Sequence, residues 1–78
     1  MLEKNIEHIM DATGSRLVYH SIELTDDSKS SFYDLLKGFT DEDFDKVTDE
    51  LTEAIYKFLI SLGVPDLLAY RCSWKWSD

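Results

Sequence analysis

The stretch Asp66-Leu67-Leu68-Ala69-Tyr70-Arg71-Cys72-Ser73-Trp74-Lys75-Trp76 decides the fold. Read with a period of two, it puts Leu68, Tyr70, Cys72, Trp74 and Trp76 on one face and Leu67, Ala69, Arg71, Ser73 and Lys75 on the other. That alternation is the pattern of a half-buried strand. A competing reading sets Pro65 at the first position of a helix, but Cys72, Ser73 and the tryptophans have only middling helix propensity. The alternation favours a strand over 66–76.

Upstream of this stretch, Gly63 and Pro65 close an element in which Phe44, Val47, Leu51, Ile55, Phe58 and Leu62 recur at helical spacing. Thr40 can cap it, and Asp41, Glu42 and Asp43 suit the positive end of its dipole. The pattern predicts one long helix over 41–62. Before it, Phe32, Leu35, Leu36 and Phe39 predict a short helix ending near Gly38, capped by Ser28 or Ser30 after the polar break 25–28. The run 16–24, with Val18, Ile22 and Leu24 on one side and Leu17 and Tyr19 on the other, reads as a second strand. Leu2, Ile6, Ile9 and Met10 predict a first helix over 2–12, with Gly14 just past its end. The expected fold is therefore α+β: three helices packed on a small two-stranded sheet, open to extension to four strands by dimerisation.

The chain has 78 residues, enough for one small domain (1–78) and one core. Its lone cysteine, Cys72, excludes an intrachain disulfide and fits a reducing compartment. The longest apolar runs, such as Phe58-Leu59-Ile60, are too short to span a bilayer. Glu3 and Glu7 stand where a signal peptide would carry basic residues. A cytoplasmic location is expected, in the host cell if the source is viral.

Net charge is −8, and the segment 23–53 holds all of it, with eleven acids against Lys29, Lys37 and Lys46. Direct contact with nucleic acid or an anionic membrane is disfavoured, since both need a basic footprint. A basic partner is favoured.

Catalytic and metal patterns fail one by one. Asp41-x-Asp43-x-Asp45 opens like a calcium loop, but Lys46 stands at the glycine position and Thr52 where a glutamate should close the site. Cys72 and His20 could form a nucleophile and base only if the two strands pair, and no oxyanion motif or orienting acid accompanies them. His8 and His20 lack metal-ligand spacing to each other or to Cys72. No enzyme activity, cofactor or metal is expected.

What remains is acid. On the long helix Asp41, Asp45, Asp49 and Glu53 fall four residues apart, a row rising about 6 Å per step, flanked by Glu42 and Glu50. That spacing is close to that of phosphates along a nucleic-acid strand, and Asp26, Asp27 and Asp34 extend the field. In size, acidity and absence of catalytic motif the chain resembles the small acidic inhibitors of phages and mobile elements, a likeness of character that assigns no residue. The expectation is a DNA mimic that occupies the groove of a basic DNA-binding protein. Its rival is an interaction module using an aromatic surface. A homodimer is expected as well, joined through Tyr70, Trp74 and Trp76 on the charge-balanced strands.

Overall fold

In the computed structural model, which describes residues 2–75 and the side chains of 5–73, the deciding stretch is helical over 66–75, and Trp76 lies outside the described residues. Five helices follow one another: α1 (Leu2–Tyr19), α2 (Asp26–Leu36), α3 (Asp41–Lys46), α4 (Asp49–Ser61) and α5 (Asp66–Lys75). No strand forms among the described residues, so the α+β expectation is overturned and the fold is all-helical.

The strand reading of 66–76 failed because alternation was not the only period present. Ala69, Cys72 and Ser73 are buried and Leu68 packs on the core, whereas Tyr70, expected on the same face as Leu68 and Cys72, is exposed. Positions 68, 69, 72 and 73 are one helical face. Residues 66–75 also contain no β-branched side chain, so nothing favours extended backbone strongly. Pro65 sits just outside α5, and its carbonyl accepts the first helical bond, from Ala69 N at 2.8 Å. α5 packs against α4 and α1, and the small side chains of Ala69, Cys72 and Ser73 are buried there.

The second expected strand, 16–24, is the last turn of α1 and its exit. The buried stripe Ile6, Ile9, Thr13 and Leu17 runs straight through Gly14, which lies inside the helix. The chain turns only at Ser21, whose φ of 64° is left-handed. There Ser21 N donates to Val18 O at 2.8 Å and Ile22 N to Leu17 O at 2.9 Å, the pair of bonds of a Schellman stop. Leu17 is fully buried and Ile22 packs on the same core, the apolar contact that accompanies this stop. The end of α4 repeats it around Gly63 (φ 86°), with Val64 N donating to Leu59 O at 3.2 Å.

The expected long helix over 41–62 is two helices. Val47 adopts φ 49° and Thr48 is extended, its side chain accepting from Leu51 N at 3.3 Å as the cap of α4. Thr40 caps α3 with a reciprocal box: Asp43 N donates to Thr40 Oγ1 at 3.2 Å and Thr40 N to Asp43 Oδ2 at 3.0 Å. α2 likewise starts earlier than expected, capped by Thr25, which accepts from Ser28 N at 3.1 Å. The core joins these pieces through Phe32 and Phe58, whose rings stack at 4.7 Å, with Leu36, Phe44, Leu51, Ile55 and Leu59 around them.

Candidate acidic binding surface

All nine carboxylates singled out from the sequence (Asp26, Asp27, Asp34, Asp41, Glu42, Asp45, Asp49, Glu50 and Glu53) are exposed. None is consumed by a buried network. Their arrangement is not the expected one, because the break at Val47 and Thr48 divides the row between α3 and α4. Asp41 and Asp45 ride on one helix, Asp49 and Glu53 on the next, so the straight ladder along a single axis does not exist. Acids are distributed over three helices instead.

The helix starts give most of these acids a local reason to be where they are. Asp26 and Asp27 occupy the first turn of α2, Asp41 and Glu42 that of α3, Asp49 and Glu50 that of α4. Negative charge there is favoured by the helix dipole, at roughly 0.3–1 kcal/mol each. Glu42 and Glu53 also face Lys46 at 2.6 Å and Lys57 at 3.0 Å, exposed pairs worth only about 0.3–0.5 kcal/mol. Asp41 accepts from Asn5 Nδ2 at 3.3 Å, tying α3 to α1.

Asp34 and Asp45 are different. Asp34 lies in the last turn of α2 and Asp45 in the last turn of α3, where the dipole disfavours a negative charge. Neither makes a hydrogen bond or ion pair among the described residues.

The remaining sequence candidates separate. Cys72 is buried, and burial pushes its thiol up, partly offset by the positive charge of Arg16. A protonated, enclosed thiol is a poor nucleophile. His20 is exposed at the end of α1 beside Tyr19, and the strand pairing that would have brought it to Cys72 is absent among the described residues. No group of three His, Cys, Asp or Glu side chains able to hold a metal forms among the described residues. No helix among them is long and apolar enough to cross a membrane. A groove beside Gly14 is lined by the apolar side chains of Met10, Val18 and Leu24 and the polar ones of Asp11, Ser15, Glu23 and Lys29.

Of the expected dimer residues, Tyr70 is on α5 and about half exposed; the Trp74 side chain and all of Trp76 lie outside the described residues. No strand edge that could join two copies forms among the described residues. The sequence reading overlooked Leu67, which is 80% exposed on α5. Its signal, an apolar pair at i and i+3 with Tyr70, is visible only once 66–75 is read as a helix.

Comparison with protein-family models, curated proteins and solved structures finds no match to this chain.

Proposed function

We propose that this chain is a non-enzymatic acidic binding protein that occupies the basic nucleic-acid-binding surface of a partner such as a nucleoid protein, polymerase or nuclease. The observation that supports it is the pair Asp34 and Asp45. Both are exposed, unpaired among the described residues and locally unfavourable, so their presence costs the fold a little stability for no structural return. Charges retained against local stability are a mark of binding surfaces. The seven other carboxylates add to the same field, and the segment 23–53 holds only three cations to neutralise it. The mechanism is competition: exposed carboxylates stand in for backbone phosphates on the partner's cationic groove. The role of the expected straight row passes to a distributed acidic surface.

The test is Asp34→Lys with Asp45→Lys. Because both substitutions put a cation in a C-terminal turn, the variant should be more stable than the parent by about 0.5–2 kcal/mol in urea titration. At the same time it should lose at least tenfold in affinity for a basic DNA-binding partner. Duplex DNA should compete for that partner, and binding of the parent should weaken steeply as salt rises. Unchanged affinity in the reversed-charge variant would remove this reading.

A second reading, an interaction module using an apolar face, is favoured by the exposure of Leu67 and Tyr70 together on α5. Binding of that kind survives salt and is lost in Leu67→Ser.

A further inference from the structure

We infer that the outer face of α5 is a self-association surface on which a second copy of this chain docks, α5 against α5 in parallel about a twofold axis. α5 presents two faces of different character. Its inner face is spent on the core through Leu68, Ala69, Cys72 and Ser73, while Leu67 is 80% and Tyr70 53% exposed. These two lie three residues apart, one turn of helix, and form an apolar seam on the side away from the core. Asp66 borders the seam on one side and Arg71 on the other, both exposed. With Leu67 and Tyr70 at the two apolar positions of a heptad, Asp66 and Arg71 take the flanking positions that set partner choice and orientation in coiled coils.

Charge then selects both the occupant and its direction. A twofold axis parallel to α5 places Leu67 against its own copy and Tyr70 against its own copy. The flanks then cross, so that Asp66 of one chain faces Arg71 of the other, twice. In an antiparallel arrangement each flank meets the same flank of the other copy, and Asp66 and Arg71 do not meet. One carboxylate oxygen of Asp66 accepts from the Tyr56 hydroxyl, and the other, Oδ2, is not used by that bond. Tyr56 also meets Tyr70 edge-on, with ring centroids at 6.5 Å, which steadies the seam from the α4 side. Arg71 forms no ion pair among the described residues.

The rest of the molecule points the same way. Residues 54–78 carry Lys57, Arg71 and Lys75 against Asp66 and Asp78, a net of +1 in a chain of net −8. A second copy, itself strongly acidic, is repelled by every surface that displays segment 23–53 and least by this one. A seam of one short helix makes a small interface, so the association is weak and concentration-dependent. It goes beyond the proposed function and does not require it: no basic partner enters the argument.

Sedimentation equilibrium of the purified chain, without any partner, from about 5 to 500 µM tests this. The expected result is a shift from the 9.1 kDa monomer towards twice that mass within this range. Leu67→Ser, at a position already exposed in the monomer, should keep the circular dichroism spectrum and weaken dimerisation at least tenfold. Arg71→Asp should do the same, and adding Asp66→Arg should restore dimerisation to within a few-fold, because it re-forms the crossed pairs with reversed sign. A monomer at 500 µM overturns the inference, as does a dimer indifferent to Leu67→Ser. A dimer lost in Arg71→Asp and not restored by a folded charge swap overturns the parallel pairing. Should the swap not fold, Leu67→Cys decides: parallel packing sets the two introduced thiols side by side for oxidation to a covalent dimer, and antiparallel packing sets each against Tyr70. None of these readings moves if binding to a basic partner fails.

Discussion

Ser21 and Gly63 do the same job with different chemistry. Each is the left-handed residue after a helix, each is followed by an apolar residue whose N–H returns to a buried leucine, and the sequences Leu17-Val18-Tyr19-His20-Ser21-Ile22 and Leu59-Ile60-Ser61-Leu62-Gly63-Val64 align position for position. For an L side chain the left-handed region costs about 1–2 kcal/mol, a cost glycine escapes. Replacing Ser21 by Gly therefore relieves strain but loosens the unfolded chain by about 0.4–1 kcal/mol. The net expectation is a gain of up to about 1 kcal/mol in urea-denaturation stability for Ser21→Gly and a loss of about 1 kcal/mol for Gly63→Ala. Opposite signs at equivalent positions are the signature; equal signs would mean that one of the two stops is not formed. These residues also show what the sequence did and did not reveal. Gly63 was legible as a stop because glycine advertises the conformation. Ser21 was not, because serine is common in both turns and strands, and Val18 and Ile22 on either side pulled the reading towards a strand.

At the scale of elements, two misreadings share a cause: a local cue was given one meaning where it had two. Gly14 reads as the stop just past a helix over 2–12, yet the stripe Ile6, Ile9, Thr13 and Leu17 keeps helical phase across it. Thr13 hid that continuity, since a threonine in a core stripe looks like an interruption. Conversely, Thr40-Asp41-Glu42 and Thr48-Asp49-Glu50 are the same start signal eight residues apart. Both cap a helix, and only the first was read that way, because Val47 and Leu51 carried the apolar pattern smoothly over the break. The acidic row was legible as charge and illegible as geometry for the same reason. The α1 correction is open to a direct check. A Cβ at Gly14 would meet no atom within 4 Å, and the backbone there is ordinary helix. Alanine exceeds glycine in a helix interior by about 0.5–1 kcal/mol. Gly14→Ala should raise the urea midpoint by the corresponding amount and increase the helical circular dichroism signal slightly. If the chain ended its helix at Gly14 instead, alanine would be destabilising.

For the molecule as a whole, the charge proposed to carry binding opposes folding, and salt separates the two effects. The protein measures 31 × 23 × 19 Å. At about 10 mM ionic strength the screening length is about 30 Å, so each of the sixteen acids feels nearly all the others. At about 150 mM it falls to about 8 Å, and only neighbouring charges still interact. Unfolding spreads the same −8 over a larger volume, so repulsion weighs more on the native state, and screening stabilises it. We expect the melting temperature to rise by roughly 5 °C between these conditions, the equivalent of about 1 kcal/mol for a domain of this size. The measurement is best made by calorimetry on Leu67→Ser, so that a change in self-association does not enter. Adding Asp34→Lys and Asp45→Lys to that background brings the net charge from −8 to −4 and should shrink the salt-dependent rise by half or more. The proposed binding to a basic partner should move in the other direction over the same range, weakening as the field is screened. A melting temperature that is flat in salt, or that falls, would mean that the acids are already compensated within the fold, and the field invoked for partner recognition would not be available at the surface.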